Sequence, residues 1–291
     1  MTSNEEMKPY LVVDPAEMRR RADELHKQGK KIGLVPTMGA LHLGHLSLAL
    51  AAKNECDVVV VSDFVNPTQF APGEDFDKYP RTLDADIDLL SKIGTDFIFA
   101  PKPADMYPKG FDASVHIGGV AKILEGAFRP THFDGVATVV LKLFNITAAD
   151  VAYFGQKDYQ QVQVVKKMVN DLNLPIMIDM RPIIREEDGV AMSSRNQYLS
   201  NEERKEARTL NQALEKAEEM IRAGERNVAT IYAAMRDIIS TAPDAKIDYL
   251  HIGDPESLDE LERVAGNVVI LVAVRVGATR LIDNRVVKPK L

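Results

Sequence analysis

Short β-rich runs alternate with helical patterns along the first two-thirds of the chain. "KKIGLVP", from Lys30 or Lys31 to Pro36, reads as a strand, and the stretch from Gly44 to Glu55 as an amphipathic helix. "DVVVVS" (Asp57 to Ser62) is a strand whose unbroken apolar run is that of a parallel strand covered on both faces. "DADIDLLSKIG" then predicts a helix stopped by Gly94, and "DFIFAP" (Asp96 to Pro101) a strand. From Gly135, "GVATVVLKLFNI" reads as a helix, "DVAYFG" as a strand, "DYQQVQVVKKMVNDL" as a helix and "IMIDMRP" as a closing strand. Strands and helices in this alternation imply right-handed crossovers and a doubly wound parallel sheet, a Rossmann-like α/β fold.

The pattern changes after Arg185. "REEDGVAMSSRNQYLSNEER" is polar and turn-rich, and Ser200 with Glu203 forms a capping box for the helix that follows. Two helices, about Asn201 to Ala223 and Val228 to Ser240, precede the strand-like runs "KIDYLHI", "NVVILVAVRVG" and "TRLIDN". Short connections make these an antiparallel sheet with helices on one side. The expected division is a Rossmann-like α/β domain over residues 1–185 and a smaller α+β domain over 186–291.

Composition narrows the chemistry. Of 291 residues 45% are hydrophobic and 27% charged, as in an ordinary globule with a real core. The formal charge of −7 disfavours a nucleic-acid partner, which calls for a basic face. Cys56 is the only cysteine, so the chain holds neither a disulfide framework nor a cysteine zinc site; a small buried residue is the expected role. The opening "MTSNEEMKPY" is polar and the longest apolar runs are strand-sized, so the expectation is no leader, no membrane association and a cytoplasmic location.

"PTMGALHLGHLSL" (Pro36 to Leu48) carries the sharpest chemical signal, with two of the six histidines three residues apart among glycines. Gly39 and Gly44 have the spacing of a phosphate-binding P-loop, but His45-Leu46 stands where Lys-Ser/Thr is required. The dinucleotide fingerprint G-x-G-x-x-G is missing too. A zinc protease needs H-E-x-x-H, with histidines four apart and a glutamate between; neither condition holds. What remains is an anion site at a strand-to-helix turn. There a helix beginning near Gly44 aims N–H groups and its dipole at phosphate, and two imidazoles add donors.

On these residues the chain resembles a known group. "HLGH" is similar to the H-x-G-H signature of the class I synthetase and nucleotidylyltransferase superfamily, whose histidines stabilise the α-phosphate of ATP during adenylyl transfer. "PTMGALHLGH", "DFVNPTQF", "YFGQKDYQQ" and "GVAMSSRNQYLS", in that order, resemble the pantoate–β-alanine ligase family from about Tyr10 to Asn284. The resemblance implies ATP as co-substrate, Mg²⁺, pantoate and β-alanine as substrates, and a homodimer.

It also implies residue roles. His42 and His45 act on the α-phosphate, and Met38, Gly39 and Gly44 belong with them around ATP. Gly155, Gln156, Lys157 and Asp158 surround the nucleotide, with Gln156 replacing the glutamate more usual in "GEKD". Ile184 meets the adenine edge through its backbone. Met192, Ser193, Ser194 and Arg195 are the counterpart of the synthetases' K-M-S-K-S loop. Lys157 and Arg195 serve catalysis through the leaving phosphates, although on the residues alone Lys157 is equally a solvated lysine and "MSSRN" an interdomain turn. Pro36, Thr37, Met38, Phe64, Asn66, Gln69 and Gln161 form the pantoate and β-alanine site. Asp86 is a Mg²⁺ contact by position, in a cluster that Ala85 interrupts, and Arg129 and His132 lie in a loop near substrate. His26, His116 and His251 match no chemical arrangement and are expected to be structural. A nucleotidylyltransferase acting on another small substrate is the alternative, and a nucleotide-sensing module without catalysis is a third reading.

Overall fold

A computed structural model describes residues 8–289. In chain order its elements are β1 (Tyr10–Val12), α1 (Pro15–Lys27), β2 (Ile32–Thr37), α2 (Leu43–Glu55), β3 (Val58–Asp63), α3 (Leu83–Ser91), β4 (Phe97–Phe99), α4 (Pro103–Met106), α5 (Glu125–Phe128), α6 (His132–Thr147), β5 (Val151–Gly155), α7 (Tyr159–Asp171), β6 (Met177–Arg181), α8 (Asn201–Arg222), α9 (Val228–Ile239), β7 (Ala245–Gly253), β8 (Val268–Val276) and β9 (Thr279–Val287). The chain forms two compact units. One runs to Gly155 and resumes over Val164–Arg181; the other takes Gln156–Gln163 and everything from Pro182 onward, a few positions ahead of residue 186.

The first unit is built on a parallel sheet of order β1-β4-β3-β2-β5-β6. Val58, Val59, Val60 and Val61 are all buried, as the unbroken apolar run requires. From β2 the chain steps to β3 and β4 on one side, then returns to β5 and β6 on the other. The carboxyl ends of β2 and β5 therefore flank a topological switch point, where open α/β sheets bind ligands.

Several expectations are refined. β1 and α1, which the pattern before Lys30 did not announce, add an edge strand and a helix capped by Asp14, whose side chain accepts from the Ala16 N–H. α2 is not cleanly amphipathic, since Leu43 and Leu50 are exposed while Leu48, Ala49 and Ala52 are buried. α6 begins at His132, three residues before Gly135. Cys56 ends α2 half-buried rather than buried, its Sγ 3.4 Å from the Tyr153 hydroxyl.

In the second unit β7, β8 and β9 form an antiparallel sheet. One face of β8 (Ile270, Val272, Val274, Val276) packs with Leu210, Leu214 and Ile221 of α8 and Ile231 and Met235 of α9. The Ser200–Glu203 capping box forms as expected, with the Ser200 N–H donating to Glu203 and the Glu203 N–H to Ser200 Oγ.

Candidate active site

The "MGALHLGH" stretch is the turn from β2 into α2. Gly39 and Ala40 both adopt positive φ, +77° and +50°, which turns two successive amides the same way. Such a backbone nest attracts an anion, and a buried side chain supplies one. Asp86 of α3 accepts from the Ala40 N–H at 2.9 Å and the Leu41 N–H at 2.8 Å, with the Thr82 hydroxyl also on Oδ2 at 3.0 Å. Below the turn, Thr37 Oγ1 donates to the Ser62 carbonyl and accepts from the Gly39 N–H.

The two histidines cap α2 reciprocally. The Gly44 N–H donates to His42 Nδ1 at 3.1 Å, and the His42 N–H donates to His45 Nδ1 at 3.3 Å. The rings lie 4.0 Å apart, tilted by 30°. This refines the sequence reading: the Gly44 N–H of α2 and the N-cap His42 N–H are spent on the imidazoles. Because each Nδ1 accepts a backbone N–H, a neutral ring carries its proton on Nε2. The same two hydrogen bonds thus fix the helix start, the ring orientation and the tautomer.

Asp86 does not fit a direct Mg²⁺ contact. It is 1% exposed, and both its oxygens are engaged by the backbone amides of the histidine turn. Among the described residues no group of three or more His, Cys, Asp or Glu side chains is arranged to hold a metal ion. Its neighbour is instead Asp63, at the end of β3, packed so closely under Gly39 that a Cβ there would collide with the Asp63 carboxyl. Asp63 Oδ2 is buried without a hydrogen-bond partner. Burial, then repulsion from Asp86, pushes the Asp63 carboxyl up to about 7. Asp63 was absent from the sequence expectations; its signal was a carboxylate closing the apolar run "VVVVSD" at a strand's carboxyl end.

Next to the histidine turn, Asn66 caps the short 3-10 turn Pro67–Gln69 and is 1% exposed. Its Oδ1 accepts from the Tyr107 hydroxyl at 2.7 Å, and its Nδ2 donates to Gln69 Oε1 at 3.0 Å and to the Gly135 carbonyl at 3.2 Å. Gln69 in turn directs Nε2 at Met38 Sδ, 3.0 Å away. Gly135 allows α6 to meet this turn, since a Cβ there would strike the Thr68 backbone. Phe64 is buried beside Tyr107, ring centroids 6.3 Å apart, and Pro36 and Thr37 close β2 at the same end of the sheet. The structure therefore gathers Pro36, Thr37, Met38, Phe64, Asn66 and Gln69 with the histidines.

Arg129 and His132 belong to the same surroundings. Arg129 forms a bidentate pair with Glu74, at 2.7 and 2.6 Å, and donates to the Gln69 carbonyl at 3.2 Å. His132 Nδ1 lies 2.9 Å from that carbonyl, so it carries the proton, and Nε2 faces Arg129 Nη1 at 3.2 Å. Burial, then the adjacent guanidinium, push His132 down to about 4, which keeps the ring neutral. Glu74 holds Arg129 in place, a role no sequence motif revealed.

The remaining expected residues lie in the second unit, apart from Gly155, which ends β5. Gln156–Asp158 is a one-turn 3-10 helix, with Lys157 Nζ 3.7 Å from Asp158. Gln161 follows in the first turn of α7 and is half-buried. Asn284 of β9 grips this turn, donating Nδ2 to the carbonyls of Gln156 and Lys157 at 2.8 and 2.9 Å. Residues 184–192 form a hairpin, with Arg185 bridged to Ala191 and the Met192 N–H donating to the Ile184 carbonyl at 3.0 Å. Arg204 clamps its tip through Glu186 and Asp188. Ser193 then caps the 3-10 helix Ser194–Tyr198, accepting from the Arg195 N–H at 3.3 Å.

These elements have counterparts in known proteins. The family model for pantoate-beta-alanine ligase matches residues 11–286. A pantothenate synthetase of Moorella thermoacetica is 52% identical over 273 residues, 94% of this chain and 96% of that protein. Crystal structures give the same picture. The pantothenate synthetase of Thermus thermophilus superposes with a TM-score of 0.91 at 44% identity, over 96% of this chain and all of that one. A pantoate-beta-alanine ligase of Francisella tularensis, complexed with beta-gamma ATP and beta-alanine, gives a TM-score of 0.79 at 36% identity, over 95% of this chain and 97% of that one. With the histidine turn, the QKD turn and the Ser-Ser-Arg loop each in its own structural setting, this chain belongs to the pantoate–β-alanine ligase family.

Proposed function

We propose that this chain condenses pantoate with β-alanine at the expense of ATP, in two steps. In the first, a carboxylate oxygen of pantoate attacks the α-phosphorus of ATP, forming pantoyl adenylate as the bond to the bridging oxygen breaks and pyrophosphate leaves. In the second, the amine of β-alanine attacks the acyl carbon, loses a proton, and expels AMP. No nucleophile on the protein is consumed, so the residues act by orientation and charge stabilisation.

The observation that carries this reading is the reciprocal histidine cap. With both Nδ1 atoms occupied by backbone N–H groups, His42 and His45 present Nε2–H as donors suited to the charge that grows on the α-phosphate. A pair fixed in this way stabilises the transition state without reorganising. Lys157 and Arg195 take the leaving pyrophosphate, while Gly39, Gly44, Gln156, Asp158, Ile184, Met192, Ser193 and Ser194 complete nucleotide binding. Gln69, oriented by Asn66, and Gln161 are the polar partners of pantoate, with Met38 and Phe64 as apolar wall.

Mg²⁺ enters as the counter-ion of the triphosphate rather than through a resident carboxylate site, in keeping with its habit of binding mainly through substrate phosphates. The chain works as a homodimer in the cytoplasm, where ATP is available; among the described residues no helix is long and apolar enough to cross a membrane.

The test is exchange of labelled pyrophosphate into ATP in the absence of β-alanine. Exchange should require pantoate, and full turnover should yield AMP. Exchange indifferent to pantoate, or ADP as product, would falsify the reading.

A further inference from the structure

Asp283 and Asn284 stand out as an adjacent buried polar pair in β9. Both are buried, at 4% and 1% exposure, and they pair with Val272 and Leu271 of β8. Successive strand residues point to opposite faces, so the two side chains leave β9 in opposite directions. Each reaches a different loop.

On the face opposite α8 and α9, Asn284 spends its amide on the QKD turn. Nδ2 donates one hydrogen to each of the Gln156 and Lys157 carbonyls, and Oδ1 accepts from Gln156 Nε2 at 3.1 Å. These carbonyls follow the last residue of β5, and without Asn284 they would lose these donors. On the other face, Asp283 forms a fork-to-fork pair with Arg185, at 2.6 and 3.0 Å, and Arg185 Nη1 also donates to the Gly189 carbonyl at 3.0 Å. That ties the base of the 184–192 hairpin to its tip, and the hairpin runs directly into Ser193–Arg195. The Asn284 N–H donates to Asp283 Oδ1 at 2.7 Å, joining the two attachments.

We infer that Asp283 and Asn284 are positioning residues that fasten both triphosphate-binding loops to a single strand, so that Lys157 and the Ser193–Arg195 turn are held as one rigid cassette. Gln156–Gln163 accordingly belongs with the second unit, although β5 belongs to the first. Neither residue touches substrate. Their effect is confined to the step in which pyrophosphate leaves, because pantoyl adenylate has no β- or γ-phosphate to hold. The inference rests on the function proposed above.

The test compares the two half-reactions in Asn284→Asp and Asp283→Asn. Asn284→Asp sets a carboxylate against two carbonyls; Asp283→Asn breaks the fork but keeps one acceptor. Pantoate-dependent pyrophosphate exchange should fall about 100-fold in the first variant and about 10-fold in the second. Reaction of synthetic pantoyl adenylate with β-alanine should stay within about threefold, and calorimetric affinity should fall for ATP but not for AMP. Tyr232→Phe serves as control. It removes the hydroxyl that donates to Glu260 and accepts from the Ile252 N–H in the same unit, and should lower thermal stability without separating the half-reactions. Equal loss of both half-reactions, or exchange within threefold of the parent in folded variants, overturns the inference. Should Asn284→Asp fail to fold, Asp283→Asn decides. If the parent itself shows no exchange, the proposed function falls, and the ATP-against-AMP comparison still judges the cassette.

Discussion

Replacing His42 by asparagine separates two jobs that the imidazole performs at once. Asn Oδ1 hangs from Cγ as His Nδ1 does, so it can accept the Gly44 N–H that His42 now accepts at 3.1 Å. Asparagine is also among the preferred helix caps, whereas alanine in that position costs about 1 kcal/mol. What asparagine lacks is the far edge of the ring, where Nε2–H sits. His42→Asn should therefore stay within about 0.5 kcal/mol of the parent in stability while losing the donor to the α-phosphate. The loss of one such preorganised donor is worth about 3–4 kcal/mol, or roughly 10²–10³ in rate. His42→Ala should lose both, with a melting temperature about 2–4 °C lower for a unit of this size. Thermal unfolding measures the first quantity, and pantoate-dependent pyrophosphate exchange the second, at saturating ATP so that ground-state binding drops out. If His42→Asn exchanges within tenfold of the parent, the ring is a helix cap only and the transition-state role is wrong. Should asparagine and alanine destabilise alike, the capping account fails instead.

Two buried groups give stability–pH dependences of opposite sign. Asp63 has a folded value of about 7 against 3.8 for a free carboxyl, so between those values the folded state holds a proton that the unfolded state has released. Stability from this site falls as pH rises from about 4 to about 7 and is flat beyond; Asp63→Asn, whose amide can donate to Asp86, should remove that fall in urea-unfolding midpoints. Curves for parent and variant that stay parallel from about pH 5 to 8 would count against a proton held there. His132 runs the other way. Its folded value is about 4 against 6.5, so its contribution is complete above pH 6.5 and is lost as pH falls toward 4, where the unfolded chain takes up the proton first. His132→Asn keeps a donor for the Gln69 carbonyl and should flatten that acid limb; an unchanged limb would mean the ring is not kept neutral by its surroundings.

Legibility in the sequence followed the range of the interactions involved. The histidine turn was readable because a strand, two glycines and two imidazoles lie within a dozen residues and their chemistry is local. The roles expected of Lys157 and Arg195 came only from the family pattern, since an isolated lysine or a turn arginine has many uses. Asp86 was expected to be a metal contact, and its neighbouring carboxylates on α3 give no hint that its partners here are amides some forty-five residues earlier, at Ala40 and Leu41. Glu74, Asp63, Asp283 and Asn284 were missed for the same reason, as each acts on a segment distant in sequence.

Sequence alone determined the alternation of strand and helix, the shift to an antiparallel second unit, and the chemical character of each loop. Those properties rest on local periodicity, turn residues and side-chain type, which need no partner to be read. Tertiary structure decided the tautomer of the histidines, the burial of Asp86 beneath their turn and the anchoring of two loops on β9. Each depends on which backbone donors and acceptors folding leaves unpaired, and on which distant side chain the packing brings to meet them.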